Sequence, residues 1–349
     1  MLNFAEASLR RVAVVWVGNK SRNEGAYVPK QLLTPPHDVV HEWLLSAFLK
    51  PFEKSAEFFY FSHEEDVSHH PVYQSCHLIF QNPDSLPEET RRLTQWLYEC
   101  SENSRMQGGE FLVMYFENLL LGDEPTAAIG LWKVQQPQQF LHVERLPDQY
   151  ALSVRSGLSP EKPETAALIF NLDEVDGYRI CAIDTISKRD ERSFWKDDFL
   201  HLRPVEDHYF QTRHYIALSS EFIQHKLPHR FGLDRPDQLD ALYRSGLYFK
   251  ENEHFDADHY AETLFPDEAQ KEAFKAFRDE YAMAYALPLE DRFDISKPAV
   301  KKEFRILKSV IKLDKNFHIY VHGRRDLIER GFDDERGKKY YKIYFEEEE

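Results

Sequence analysis

Apolar positions change their spacing several times along the chain, and each change predicts a new kind of element. RRVAVVWV (10–17) is a short apolar run of strand length, and GNKSRNEG after it is a polar turn. His37 to Phe52 repeats at helical spacing, with Val40, Leu44, Ala47 and Phe48 as its stripe, an entry through Thr34-Pro35-Pro36 and a stop near Pro51. A second helix is predicted from Ser85 to Cys100. Ser85 is its N-cap, Pro87 and two glutamates stand in its first turn, and Leu93, Leu97 and Cys100 share one face.

The period then shortens. FLVMYFENLLLGDEPTAAIGLWKV holds two apolar runs around Gly122-Asp123-Glu124-Pro125, and QFLHVERL, YALSV, AALIFN and YRICAID follow at strand lengths. The expectation is a mostly antiparallel sheet over about 110–184. From Phe194 helical spacing returns, with Tyr215, Leu218 and Phe222 before Pro228, then helices near 237–249, 256–264 and 267–286. Phe274, Phe277, Tyr281 and Met283–Tyr285 give the last of these a broad apolar face.

In the C-terminal part, FRILKSVIKL, a turn at Asp314-Lys315-Asn316, FHIYVHG, a short helix at RRDLIERG and KYYKIYF read as three strands with a helical insertion. Lys297, Lys301, Arg305, Lys308 and Lys312 also fit one face of a helix, but β-branched residues on both sides of the turn favour a hairpin. A helix over 297–303 with a strand after it satisfies both patterns. The fold class expected is α+β: an antiparallel sheet in the N-terminal half, a helical middle, and a C-terminal β-hairpin segment with a short helix. The matching domains are 1–190, 191–292 and 293–349.

Composition narrows the function. The 349 residues are 42% hydrophobic and 14% aromatic, which is a folded chain rather than a disordered one. The run Val12–Val17 is far shorter than the roughly 20 residues a membrane helix needs, and no cleavage pattern follows it, so a cytoplasmic protein without a membrane anchor is expected. Cys76, Cys100 and Cys181 are odd in number, widely spaced and without a CxxC, as reduced core thiols would be.

Forty-four Lys and Arg against 60 Asp and Glu leave a net −16, which excludes indiscriminate coating of nucleic acid. The charge is unevenly spread. Residues 1–296 carry 30 basic and 49 acidic side chains, a net −19, whereas 297–343 hold fourteen Lys and Arg against seven acids, a net +7, before a tail of four glutamates. Charges beyond about 8 Å are largely screened at physiological salt, so a local cluster can meet phosphate despite the total. The candidate contacts are Lys297, Lys301, Lys302, Arg305, Lys308, Lys312, Lys315, Arg324 and Arg325. Asn316, Phe317, Tyr320 and Tyr341 are neighbours able to stack or hydrogen-bond, and Arg324 and Arg325 are expected to open the short helix after Gly323.

Other chemistries compete with this one. FSHEEDVSHHPVYQSCH crowds His63, His69, His70 and His77 among acids, but without HExxH or HxH spacing it reads as a solvated polar loop. Asp184, Asp190, Glu191, Lys196, Asp197 and Asp198 are the residue types of a metal-dependent nuclease, and equally those of a helix cap with surface ion pairs. No GxSxG elbow or recognisable cysteine nucleophile motif is present. Trp16, Trp43, Trp96, Trp132 and Trp195 are candidates for base stacking, but four of the five sit in apolar periodic runs, where a core role is expected.

KPAVKKEFRILKSVIKLDKNFHIYVHG, SFWKDDFLHLRPVEDHYFQT and GEFLVMYFEN, with VVWVGNKSRNEG, AAIGLWKV and YRICAID, occur in an order that resembles the bacterial nucleoid-associated proteins of the NdpA/YejK type. The resemblance spans nearly the whole chain. It implies a cytoplasmic, nucleoid-located, non-enzymatic protein without cofactor, binding double-stranded DNA and single-stranded RNA, with a link to topoisomerases; a homodimer would double the basic patch. Two further readings stand beside it: an acidic interaction module or DNA mimic acting on a DNA-handling protein such as a topoisomerase, and the metal-dependent nuclease.

Overall fold

The computed structural model describes residues 2–31, 38–103, 106–135, 137–158, 163–187, 192–307, 310–314, 316–320 and 327–347, with the backbone alone at 38–41, 305, 310 and 312. It divides into two compact units, 1–205 and 206–349.

The first unit is built on a nine-stranded sheet. In chain order its elements are β1 (Leu2–Asn3), β2 (Ser8–Val17), β3 (Ala26–Tyr27), α1 (Asp38–Leu49), β4 (Phe59–Phe61), α2 (Pro71–Gln81), α3 (Leu86–Cys100), β5 (Gly109–Leu121) and β6 (Glu124–Val134). After these come β7 (Gln138–Arg145), β8 (Tyr150–Gly157), β9 (Thr165–Phe170), β10 (Arg179–Asp184), a π-helical turn (Phe194–Phe199) and β11 (Leu202–Pro204). The sheet order is β11-β4-β10-β9-β6-β5-β2-β3, with β1 pairing β5, and every pairing is antiparallel.

Both faces of this sheet are covered, which is why its strands read as continuous apolar runs rather than alternating ones. One face carries Val113, Ile129, Leu131, Ala167, Ile169 and Ile180 against α2, α3 and the π-helical turn. The other carries Leu112, Met114, Trp132, Leu168 and Phe170 against α1 and the turn that follows it. Trp132 is wedged there by Phe48 and Phe52, with ring centroids at 4.3 and 5.8 Å. The β5–β6 link is the expected tight turn, with Gly122 at φ +66°.

Three expectations for this unit change. QFLHVERL and YALSV are strands, yet they pair only with each other as β7–β8, because β6 pairs β9 directly from Ala128↔Phe170 to Lys133↔Thr165 and leaves them no edge. The histidine-rich stretch is a solvated loop only in part: α2 begins at Pro71 and buries Val72, Tyr73, Cys76 and Ile79, with His70 as its N-cap. Trp43 is exposed, whereas Trp132 and Trp195 are core residues and Trp16 and Trp96 are half-buried. The entry into α1, 32–37, lies outside the described residues. All three cysteines are free thiols, Cys76 and Cys181 buried and Cys100 half-buried.

The second unit contains α4 (His208–Glu221), a π-helical turn (Phe222–Lys226), α5 (Leu227–Phe231), α6 (Arg235–Glu251), β12 (His254–Asp256), α7 (Ala257–Leu264), α8 (Glu268–Ala284), β13 (Arg292–Asp294) and α9 (Lys297–Glu303). It ends in two hairpins, β14 (Val310–Leu313) with β15 (Phe317–Tyr320) and β16 (Ile328–Asp333) with β17 (Lys338–Ile343). Its core is rich in aromatic rings: Tyr215, Phe222, Phe249, Phe255, Tyr260, Phe274 and Phe293 are all buried in one cluster. The apolar face of α8 ends at Tyr281, since Met283 and Tyr285 are exposed. No helix among the described residues is long and apolar enough to cross a membrane.

Two buried basic groups tie the first unit's stability to pH. His70 is fully buried; its Nδ1 accepts the Tyr73 amide at 3.2 Å and its ring stacks on Phe61. Burial, with the charges of His201 and His63, pushes it down to about 3. The unfolded chain binds that proton near pH 6.5, so stability is lost as pH falls from 6.5 towards 3. His70→Asn, which keeps a cap acceptor but not the ring, is expected to melt lower at pH 7 and to show a shallower fall in Tm below pH 6.5. Lys133 is also fully buried, with Nζ donating to the Gln107 carbonyl at 3.3 Å. Burial lowers it to about 7 against the opposing pull of Glu110, Glu164 and Glu24. The unfolded chain then binds more protons between pH 7 and about 10.5, and stability rises with pH across that range. Lys133→Met is expected to raise Tm at pH 8 by about 2–4 °C for each kcal/mol relieved and to flatten the rise between pH 7 and 9.5; thermal scans at several pH values check both.

Candidate nucleic-acid interface

The basic C-terminal segment starts on α9, which Ser296 caps by accepting the Ala299 amide. Of the nine residues expected to contact phosphate, Lys297, Lys301 and Lys302 are brought together on this one helix, and all three are exposed. Lys297 is already engaged: its Nζ donates to the Lys250 carbonyl at 3.0 Å and to the Asn252 carbonyl, closing the C-terminus of α6 where a cation suits the helix dipole. Lys302 lies 5.7 Å from the Tyr209 ring centroid. Lys301 has no carboxylate partner among the described residues and projects from α9 into solvent.

Beyond α9 the chain turns through Phe304–Leu307 before β14 begins, later than the expected strand. Arg305 lies in that turn, and Lys312 stands opposite His318 in the β14–β15 register. Lys308, Lys315, Arg324 and Arg325 lie outside the described residues. Ile311 is buried in the second unit's core with Leu313 and Ile319 packed against it, while Phe317 and Tyr320 are exposed.

The short helix expected at RRDLIERG is not the outcome in its described part. Residues 328–333 are β16, paired with β17 from Ile328↔Ile343 to Asp333↔Lys338. The alternation of Ile328, Arg330 and Phe332, with Gly337 at φ +60° in the turn, makes a ribbon more favourable than two turns of helix. Ile328 is buried and Tyr341 packs on the same core. Arg330, Phe332 and Lys339 share that face further along the ribbon and are exposed; on the opposite face Tyr340 lies over Gly331, beside Lys338 and Lys342. Lys342 is held protonated more firmly than usual by the Tyr344 hydroxyl and by Glu329, 3.7 Å away. Arg330, Lys338 and Lys339 have no carboxylate partner among the described residues. The sequence count includes these three, but their value as contacts depends on a ribbon that the helical spacing concealed.

A second basic cluster escapes a charge count, because it sits in a short stretch of the acidic part. Where α4 passes through its π-helical turn into α5, His225, Lys226, His229 and Arg230 rim an open groove of about 490 Å³, floored by Phe222, Ala273 and Phe277 with Glu280 across it. Lys226 lies 5.6 Å from the Phe277 ring centroid and Arg230 5.6 Å from that of Phe231. The signal available in sequence was HKLPHR, four basic or titratable residues in six.

The carboxylates of the nuclease reading are committed elsewhere. Asp184 accepts from the Ser193 hydroxyl and from the Ile186 and Ser187 amides at 2.9 and 3.0 Å; Asp197 accepts the Ser193 amide at 2.6 Å and Asp198 the Arg192 guanidinium at 2.7 Å. Lys196 lies over the Phe59 ring. Asp190 and Glu191 lie outside the described residues. The cavity beside Asp184 holds about 30 Å³, room for one water rather than a nucleotide. Among the described residues no three His, Cys, Asp or Glu side chains are grouped to hold a metal ion.

No curated protein matches the chain. The family model of nucleoid-associated protein YejK matches residues 17–340, from the end of β2 through the rest of the sheet and the helical core to the middle of β17. The chain therefore belongs to the YejK family of nucleoid-associated proteins.

Proposed function

We propose that this nucleoid protein binds double-stranded DNA without catalysis, through the cations of its second unit. The observation that carries the reading is the β16–β17 ribbon with α9. Lys301, Arg330, Lys338 and Lys339 are exposed without carboxylate partners among the described residues, and Phe332 and Tyr340 are exposed between them. Exposed cations of this kind release counterions when they meet phosphate, and a two-stranded ribbon has the width to enter a major groove. The rings supply stacking surfaces for an unpaired base, which supports single-stranded RNA as a second ligand. The His225–Arg230 groove adds a further phosphate contact. The −19 body opposes contact elsewhere, so binding is local and non-coating. The same body supports a second reading, an acidic surface for a DNA-handling partner such as a topoisomerase, which needs no phosphate contact.

Titrating labelled duplex at several salt concentrations tests the proposal. The full chain is expected to lose affinity steeply with salt. Replacing Lys301, Arg330, Lys338 and Lys339 with alanine is expected to weaken binding to all sequences alike, by at least tenfold at 100 mM salt, and to lower the slope of log K on log salt by about 3 to 4, near one per contact. An unchanged slope moves the contact off the ribbon; absence of binding by the wild-type chain at low salt leaves the acidic-surface reading.

A further inference from the structure

We propose that the β7–β8 hairpin is the arm by which two copies of this chain associate, its aliphatic face closing on the same face of the second copy. The hairpin is complete in itself: eight residue pairs run from Gln138↔Gly157 to Arg145↔Tyr150, and the Leu146 amide closes the turn on the Gln149 carbonyl at 2.9 Å. Its two faces differ. Leu141 stands opposite Val154 and Val143 opposite Leu152, and Tyr150 continues the same side; all five are 55–69% exposed. The other side carries His142, Ser153, Glu144 and Arg155, with the Phe140 ring lying over Gly157.

An isolated two-stranded hairpin is at best marginally stable in water, and its open edges and apolar side call for a cover. The chemistry of the face says what kind. Its middle is aliphatic, its one charge, Arg145, stands at the turn end opposite Tyr150, and a net −16 chain is repelled by nucleic acid and by anionic lipid alike where cations are this few. An aliphatic surface fits another aliphatic surface, and the one certain to be present whenever this chain is present is its own. Five side chains of this exposure offer on the order of 500 Å² on each arm, so pairing two removes about 1,000 Å², where specific interfaces begin. A two-fold axis through the face brings the cross-strand pairs of one arm over those of the other at the roughly 10 Å spacing of packed sheets, an isologous contact.

The test uses the full chain. Sedimentation velocity over about 0.5–50 μM should show the 41.4 kDa monomer giving way to a species of twice that mass, with no weakening as salt is raised. Leu152→Glu and Leu152→Lys are each expected to weaken self-association at least tenfold while the body's near-ultraviolet dichroism stays unchanged, and an equimolar mixture of the two is expected to re-associate, because a face that meets itself sets Glu near Lys. A wild-type chain that stays monomeric throughout, single variants that associate like wild type, or a mixture no tighter than either variant would each overturn the proposal. Duplex affinity and its salt slope, read on the same variants, report separately on the phosphate contacts.

Discussion

Burial of both faces of the β5–β6–β9 strands is the constraint from which most of the first unit follows. Strands covered on two sides cannot alternate apolar with polar, so FLVMYF and AAIGLWKV are continuous, and helices are needed above and below. The close pairing of β6 with β9 in turn leaves the residues between them without a place in the sheet, and β7–β8 becomes a free arm. The same two-sided cover turns Lys133, at the end of an otherwise apolar strand, into a buried amine whose charge the fold disfavours.

The second unit solves a different problem, how to hold cations outward on a short segment of chain. Ile311, Ile328 and Tyr341 sink into the aromatic core and fix which side of each strand faces water. Arg330 and Lys339 share the side of Ile328 and Tyr341 and are exposed further along the ribbon, while Lys338 and Lys342 take the side turned from the core. The placement of the exposed cations therefore depends on which residues of each strand the core takes.

Much of this was legible in the sequence, and the parts that were not have physical causes. The sheet, the helices over 235–284 and α9 follow from periodicity that tertiary packing reinforces. Helix α2 was hidden because its polar N-terminal approach, SHEEDVSHH, dominates the window, although Val72, Cys76 and Ile79 carry helical spacing. The β16 strand was hidden because RRDLIERG has helix-forming residues, and its partner across the Gly337 turn decides the conformation. Of the expected contacts, Lys301 and Lys302 lie on the exposed face of α9, and Lys297 closes α6, a role that only the folded neighbour reveals. Arg330 and Lys339 needed the ribbon, and His225–Arg230 needed the groove.

If the second unit's cations touch DNA, bound duplex lies against them and can be fixed there. Photo-crosslinking of duplex DNA to the full chain, followed by mass spectrometry of the attached peptides, tests it most directly. Nucleotide adducts are expected within 297–303, 328–343 and 225–230. Adducts confined to residues 1–205 would contradict it.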